Sequence, residues 1–381
     1  MQKMTNNKEN LLELCFSPDL GGLELYMLRC AQALVSDFNV VSVIHPQGKL
    51  KSYYEGSSDK YVEIEKRSNL LMLGAAKRLA EVIDAHEVSI VHLHWTKDIP
   101  IAVLAKKLSK QDPKLVQTRN MLMTRFKDDF YHRFLYKNIA LMVPTSYEVK
   151  DQIERFIPSD IRPKVEVVYM GVAAPEMLSE QDVETLRNDL GMKKSFSVGL
   201  VGRIEESKGQ ILLIKAIKYL GDQGLDVQAF FVGHPMQESY LETLKTEVKG
   251  LGLESRIHFL GFMKNPHHFM QVCDALVLAT KHETFGLVLI EAMQMGTAII
   301  GANRGGPVEI IEDEKSGLLF ESMSSESLAE KIAYLYKDNL RKEAIAKAGK
   351  ERAQEMFLDT VQFQKLSAVI KDNIVVAHHT R

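Results

Sequence analysis

Two patterns of apolar and polar positions recur along this chain. Compact apolar or β-branched runs bounded by polar residues occur in the first half at Leu11–Ser17, Val40–His45, Ser89–Trp95, Leu115–Thr118, Leu141–Pro144 and Val165–Tyr169. Runs of this length read as strands. Between them, Leu23–Val35, Leu70–His86, Pro100–Ser109 and Tyr147–Phe156 carry the longer mixed pattern of an amphipathic helix. The second half repeats the arrangement. Strands are predicted at Phe196–Val201, Val227–Val232, Ile257–Leu260, Ala275–Ala279 and Ala298–Ile300. Helices are predicted at Gly209–Leu220, Glu238–Leu251, Pro266–Cys273 and Phe285–Met295, with a last one at Gln362–Asn373. Strands alternating with helices predict parallel sheets covered on both faces.

The fold class expected is therefore α/β, with two Rossmann-like, doubly wound domains. The break falls near Gly171–Pro175, where a strand ends in MGVAAPE before a charged helical stretch. The domains are then 1–172 and 173–356. Such sheets bind ligands outside the carboxyl ends of their strands. Function is expected on loops that follow strands, and in one cleft if the two domains face each other.

Composition narrows the class. At 381 residues the chain exceeds one ordinary core. A hydrophobic share of 45% and a charged share of 26% are those of a globular protein. The net charge of -2 excludes a global attraction to nucleic acid or to an anionic membrane. Cys15, Cys30 and Cys273 are scattered, with no CxxC spacing, which argues against a disulfide framework or zinc site and for a reducing compartment. The opening MQKMTNNKEN lacks the apolar stretch of a signal peptide, and no apolar run approaches the roughly 20 residues that span a bilayer. The expectation is a cytoplasmic protein.

Four loops carry candidate chemistry. In Asp19-Leu20-Gly21-Gly22, paired glycines and the helix behind them suit an anion, and a tight turn without a ligand would use the same residues. In the loop from Gly202 to Gly209, Arg203 and Lys208 could meet a diphosphate, the first bidentately and the second as a point charge. A surface pair of Arg203 with Glu205 or Glu206 is the competing reading. In His282–Met293, Glu283 precedes a helix whose first amides, about Phe285 to Val288, would point back at it. Glu291 lies among Leu287, Val288, Ile290, Ala292, Gln294 and Met295. A carboxylate there needs donors; ribose hydroxyls would serve, and so would a basic partner elsewhere in the fold. Asn303–Pro307 is a further glycine turn entering a helix. Two cations, two carboxylates and several glycine turns after strands suit a nucleotide diphosphate.

These residues resemble the retaining glycosyltransferases of the GT-B superfamily known as family 4. The resemblance covers nearly the whole chain and is strongest from Phe196 to Phe320. It rests on Glu283 and Glu291 with the TFGLVLIEAM spacer, on the GT…I…GG…EI…SG pattern from Gly296 to Gly317, on Arg203 with Lys208, and on Gly21 with Gly22. It implies that Arg203 and Lys208 hold the donor diphosphate and stabilise it as it leaves. Glu291 would bind the ribose hydroxyls, and Glu283 the transferred sugar. The backbone of Phe285, Gly286 and Leu287 would meet phosphate or sugar oxygens, Gly261-Phe262-Met263 the base, and Gly21 and Gly22 the phosphates. It also implies that a final helix, within 357–381, returns to the first domain. The donor implied is a nucleotide-diphosphate sugar, by default a UDP-sugar, and no metal is required.

One departure concerns the acceptor side. Many family members carry a histidine after a strand of the first domain, in a V-x-T-x-H-like context; here Val116-Gln117-Thr118 leads to Arg119 and Asn120. Arg119 cannot act as a neutral proton acceptor but can bind hydroxyls or an acidic acceptor. His94 is a second candidate for the cleft, and His92 shares its strand face. The segment Asn120–Asn138 mixes basic and aromatic residues. It reads either as a membrane-surface contact or as a cleft-lining loop and a core helix. Asp128-Asp129 reads as a helix start, although two adjacent acids also occur in metal motifs. The function expected is transfer of a sugar to a glycan or lipid-linked acceptor, in lipopolysaccharide or surface polysaccharide synthesis. A GT-B phosphorylase lacks its pyridoxal lysine here, and a nucleotide-sugar epimerase does not share this glutamate spacing. A non-catalytic partner subunit would keep the fold and lose the chemistry.

Overall fold

The computed structural model describes residues 8–66, 72–192 and 195–375. The chain divides into two compact units, Met1–Tyr169 with Thr360–Arg381, and Met170–Asp359. Each is built on a single, wholly parallel sheet.

Unit 1 has seven strands: β1 Asn10–Cys15, β2 Asn39–Ile44, β3 Tyr61–Glu63, β4 Ile90–Leu93, β5 Lys114–Arg119, β6 Ile139–Pro144 and β7 Lys164–Val165. Their order across the sheet is β3-β2-β1-β4-β5-β6-β7. β1 lies inside the sheet with helices on both faces, so Leu11, Leu12 and Leu14 are fully buried. Burying each such side chain contributes about 1.5–3 kcal/mol. The helix Tyr147–Phe156 starts where expected because the Ser146 hydroxyl accepts from the Val149 amide. The terminal helix Asp359–Ile370 packs into this unit. Phe363 lies 5.7 Å from the Tyr26 ring. The Ser367 hydroxyl donates to Asp37 at 2.8 Å, and Lys371 pairs with the same carboxylate.

Unit 2 has six strands: β8 Phe196–Val201, β9 Val227–Val232, β10 Ile257–Gly261, β11 Ala275–Leu278, β12 Ala298–Ala302 and β13 Leu318–Phe320. The order is β10-β9-β8-β11-β12-β13. At the edge of unit 2 the two chain crossings run side by side. Val172 bridges to Leu358, and Gly171 must be glycine because a Cβ would come within 2.3 Å of Asp359 Cα.

Several elements differ from the reading of the sequence. β3 and β13 are three residues long, too short for a period to register. β7 covers two residues instead of Val165–Tyr169, although Val168 still donates to Pro144. The helix expected from Phe285 begins at Leu287, because Gly286 takes a left-handed φ of 106° that ends the preceding turn. Of the segment Asn120–Asn138 only Phe130–Tyr136 is helical. Its N-cap is Asp129, with Asp128 paired to Arg133, which is the helix-start role. In the helix expected from Leu70, the first described residue is Met72; Leu70 and Leu71 lie outside the described residues.

Candidate functional site

In both sheets the winding direction reverses beside the first strand, between β1 and β4 and between β8 and β11. A doubly wound sheet has its crevice at the carboxyl ends of that strand pair. The residues singled out from the sequence fall on these loops.

In unit 2 three loops interlock. Lys281 donates its amide to the Ser207 carbonyl at 3.0 Å, which ties the loop after β11 to the loop after β8. Gly306 donates to the Glu283 carbonyl at 2.9 Å, which ties in the loop after β12. The approaches are too close for side chains. A Cβ on Gly209 would sit 2.2 Å from the Ala279 carbonyl oxygen, and one on Gly306 would sit 2.1 Å from that of Phe285. Gly209 also has a φ of 73°, which L-residues disfavour. The glycines are needed to bring these loops together, and the buried Gln210 closes the first by donating to the Arg203 carbonyl at 2.9 Å.

This packing brings Lys208 and Glu283 together across the reversal. Lys208 Nζ lies 3.5 Å from Glu283 Oε2, with both side chains three-quarters buried or more. Arg203 is half exposed and pairs with Glu205 at 3.2 Å, which is the surface pairing weighed above. Phe285 is a core residue, edge-on to Phe357 at 6.0 Å, so only its backbone faces the loop cluster. Leu287 opens the helix Leu287–Gln294, and Glu291 sits half-buried one turn further on. Phe262 lies beyond β10, after Gly261 with its φ of 73°; its ring is 70% exposed and edge-on to His234 at 6.2 Å. Met263 is half-buried against the core cluster of Met192, Phe230 and Phe269.

In unit 1, Gly21 and Gly22 are exposed and neither takes a left-handed φ. The Gly21 amide donates to the Glu24 carboxylate at 2.8 Å, so the helix Gly22–Leu34 carries its own anion at its start. His94 is buried and belongs to a cluster. Glu13 on β1 accepts from His92 Nδ1 at 3.0 Å and from His94 Nε2 at 2.6 Å, and His92 Nε2 meets the Thr118 hydroxyl at 2.7 Å. Burial works to raise the Glu13 pKa, but the two imidazoles outweigh it and hold the value at about 2. Burial, and then His92, lowers the His94 pKa, because a second imidazolium beside one carboxylate would leave a net buried charge. His94 Nδ1 is buried without a partner. The three ligand atoms lie within 4.8 Å of one another, close enough for a metal ion; they already satisfy each other by hydrogen bonds. Glu13 was not among the candidates read from the sequence. Its signal was a lone carboxylate inside an otherwise apolar strand, Asn10–Cys15.

Arg119, at the end of β5, is 6% exposed. Its Nη1 reaches the Thr96 hydroxyl at 3.4 Å and its Nη2 the Leu122 carbonyl at 3.1 Å, while Nε has no partner. Burial lowers its pKa without discharging it at neutral pH.

A pair of doubly wound units with a cation, a carboxylate and glycine turns at a strand reversal offers a place for an anionic ligand. Comparison with known proteins gives the class. Residues 20–174 match the model of Glycosyltransferase Family 4, and residues 182–352 match that of Glycosyl transferases group 1. The chain belongs to the glycosyltransferases that carry these two domains, and its fold is of the GT-B kind. It is 28% identical over 228 residues to the N-acetylgalactosamine-N,N'-diacetylbacillosaminyl-diphospho-undecaprenol 4-alpha-N-acetylgalactosaminyltransferase of Campylobacter jejuni, an alignment spanning 59% of this chain and 58% of that one. It is 21% identical over 340 residues to the capsular polysaccharide biosynthesis glycosyltransferase CapM of Staphylococcus aureus, covering 86% and 89%. Its structure resembles that of HepE from Anabaena in complex with UDP, with a TM-score of 0.83 at 23% identity, covering 95% of this chain and all of the other.

Proposed function

We propose that the chain is a retaining glycosyltransferase that moves a sugar, by hexosyl transfer, from a nucleoside-diphosphate donor to a glycan or lipid-linked acceptor in surface polysaccharide synthesis. A UDP-sugar is the favoured donor, and the cytoplasm, at the inner face of the membrane, is the favoured location. The observation that carries the reading is the approach of Lys208 to Glu283 at the β8/β11 reversal. The names of the relatives support the pathway, and the UDP complexes of the Anabaena protein support the donor.

In this reading Lys208 and Arg203 meet the diphosphate, the amides at Phe285, Gly286 and Leu287 meet phosphate or sugar oxygens, and Glu283 turns to the sugar. Glu291 holds the ribose. The backbone at Gly261-Phe262-Met263 receives the base. His94 and Arg119 belong to the acceptor side. The bond from the anomeric carbon to the diphosphate breaks, and the acceptor oxygen bonds to that carbon on the same face. The leaving phosphate oxygen takes the acceptor's proton. The protein contributes positioning and stabilisation of the departing charge. The two cations supply that charge, so no metal is invoked. A thermal-shift panel of UDP-, GDP- and ADP-sugars should show one family of donors raising the melting temperature; no shift from any of them counts against the reading.

Membrane contact would come from residues 120–138. Phe126, Phe130, Phe134, Tyr131 and Met121 are exposed there, the Phe130 ring by 89%. Among the described residues no helix is long and apolar enough to cross a membrane. Co-sedimentation with anionic liposomes at low salt is expected, and protein left in the supernatant would remove this part of the proposal.

A further inference from the structure

The helix Gln210–Asp222 buries Gln210, Leu213, Ile214 and Ile217 completely. Leu213, Ile214 and Ile217 follow Gln210 by three, four and seven positions, so all four share one face of the helix. The last three belong to the core of unit 2. The first is a glutamine at a position that this pattern gives to an apolar side chain. Its Oε1 is buried without a partner. A buried amide with half its hydrogen bonds unmade weakens a fold, and a methionine of the same length would not. Departures of this kind from local rules concentrate where a polar group serves a site.

Gln210 holds the loop that carries both candidate cations. Its Nε2 donates to the Arg203 carbonyl at 2.9 Å, across seven residues. Among the described residues no backbone amide reaches that carbonyl. The first half of the loop is pinned on its other side. The Ile204 amide donates to the His234 carbonyl at 2.9 Å, and the Ile204 carbonyl accepts from the Met236 amide at 3.1 Å. The second half carries Lys208 and is held to the loop after β11, by Ser207 with Lys281 and by Gly209 against Ala279. The Gln210 amide joins the two halves. Thr280, the residue after Ala279, also has its hydroxyl buried without a partner. Each loop therefore leaves one side-chain oxygen unpaired, one residue beyond the point where Gly209 meets Ala279.

We propose that Gln210 is a positioning residue of the donor site, whose amide sets the backbone of Arg203 relative to Lys208 before a nucleoside diphosphate arrives. This rests on the donor reading above. Gln210 touches no ligand; it acts through the two cations. A pair of cations fixed in advance meets a diphosphate without the ordering that a slack loop would need. Without the bond, the Arg203 peptide is free to turn, while Lys208 stays tied to the loop after β11. Asparagine, one carbon shorter, cannot span the same gap, and a methionine fills it without donating.

The test is calorimetric. UDP, GDP and ADP are titrated into the full-length wild type, and the tightest binder is carried to the variants. Gln210→Met is expected to bind it about tenfold more weakly. KM for hydrolysis of the matching donor sugar should rise by a similar factor. The melting temperature should stay level or rise, because the unpaired oxygen leaves with the bond. Gln271→Met is the structural control. Gln271 accepts from the Leu178 amide at 2.8 Å and donates to the Leu178 carbonyl at 3.2 Å, on the helix before β11. Its loss should lower the melting temperature and leave Kd and KM unchanged. A merely structural role for Gln210 would reduce the amount of active protein, and so the apparent kcat, without moving KM or Kd. Equal affinity of Gln210→Met and the wild type, or an equal loss in Gln271→Met, overturns the proposal. If the wild type binds a diphosphate and Gln210→Met binds it as well, the positioning role alone fails. If the wild type binds none of the three, the donor reading fails and the proposal falls with it.

Discussion

Lys208→Ala is expected to lower the turnover of a nucleoside-diphosphate sugar by about two to three orders of magnitude, the usual cost of removing a group that faces developing charge. The melting temperature should not change. Lys208 closes no core contact; its ion pair with Glu283 spans 3.5 Å at a partly open surface. Pairs of that kind contribute no more than about 1 kcal/mol. The loops that carry it are fixed by backbone bonds and glycine contacts that the substitution does not touch. Lys208→Arg keeps the charge, loses the compact ammonium geometry, and should fall between the two. Steady-state kinetics with a melting curve on the same preparations separates a chemical from a structural loss. Near-normal turnover in Lys208→Ala would remove the lysine from the site.

The largest effect on stability is expected from Glu13→Ala. Glu13, His92 and the His94 side chain are all at or within 1% of full burial. Deleting one partner of a buried charged network costs about 3–5 kcal/mol, because the remaining polar atoms lose their bonds without regaining water. Glu13→Gln can still accept from one imidazole and donate to the other, and should cost less. The charge itself appears in the pH dependence. The folded pKa of about 2 lies below the ordinary 4.5. The stability from ionised Glu13 is therefore complete above about pH 4.5 and is lost as the pH falls towards 2. Urea unfolding from pH 6 down to about pH 3 should show a steeper loss for the wild type than for Glu13→Gln. Parallel curves would mean that the Glu13 carboxyl is not held below its ordinary pKa in the folded protein.

Much of the fold was legible because the inner strands announce themselves. β8 and β9 match their expected bounds at both ends, since each is a short apolar run closed by glycine or a charged residue. The edge strands β3 and β13 are too short to show a period, and pairing with a longer neighbour defines them. The start of the helix after Glu283 depended on the φ of Gly286, which composition does not set. The site was legible in unequal parts. Glu283, Lys208 and the glycine turns lie on loops whose meeting follows from parallel winding. The choice for Arg203 between a diphosphate and a neighbouring acid was not, and in this structure Glu205 pairs with it. Glu13 escaped notice because its partners, His92 in β4 and His94 just after it, lie 79 and 81 residues on, and the register of Glu13 with His92 brings them together. The cavity of unit 1 lined by Lys66, Lys97 and Arg125 was hidden for the same reason: these residues follow β3, β4 and β5, and the order β3-β2-β1-β4-β5 brings them to one wall.

The most direct measurement is release of nucleoside diphosphate by the purified protein, supplied with each donor sugar in turn and followed by phosphate-sensitive chromatography. Slow hydrolysis of one donor in the absence of acceptor is expected, abolished in Lys208→Ala and strongly reduced in Glu291→Ala, with both variants folded. Release at the same rate by the wild type and Lys208→Ala, or no binding and no release with any donor, would contradict the assignment of the β8/β11 loops as the donor site.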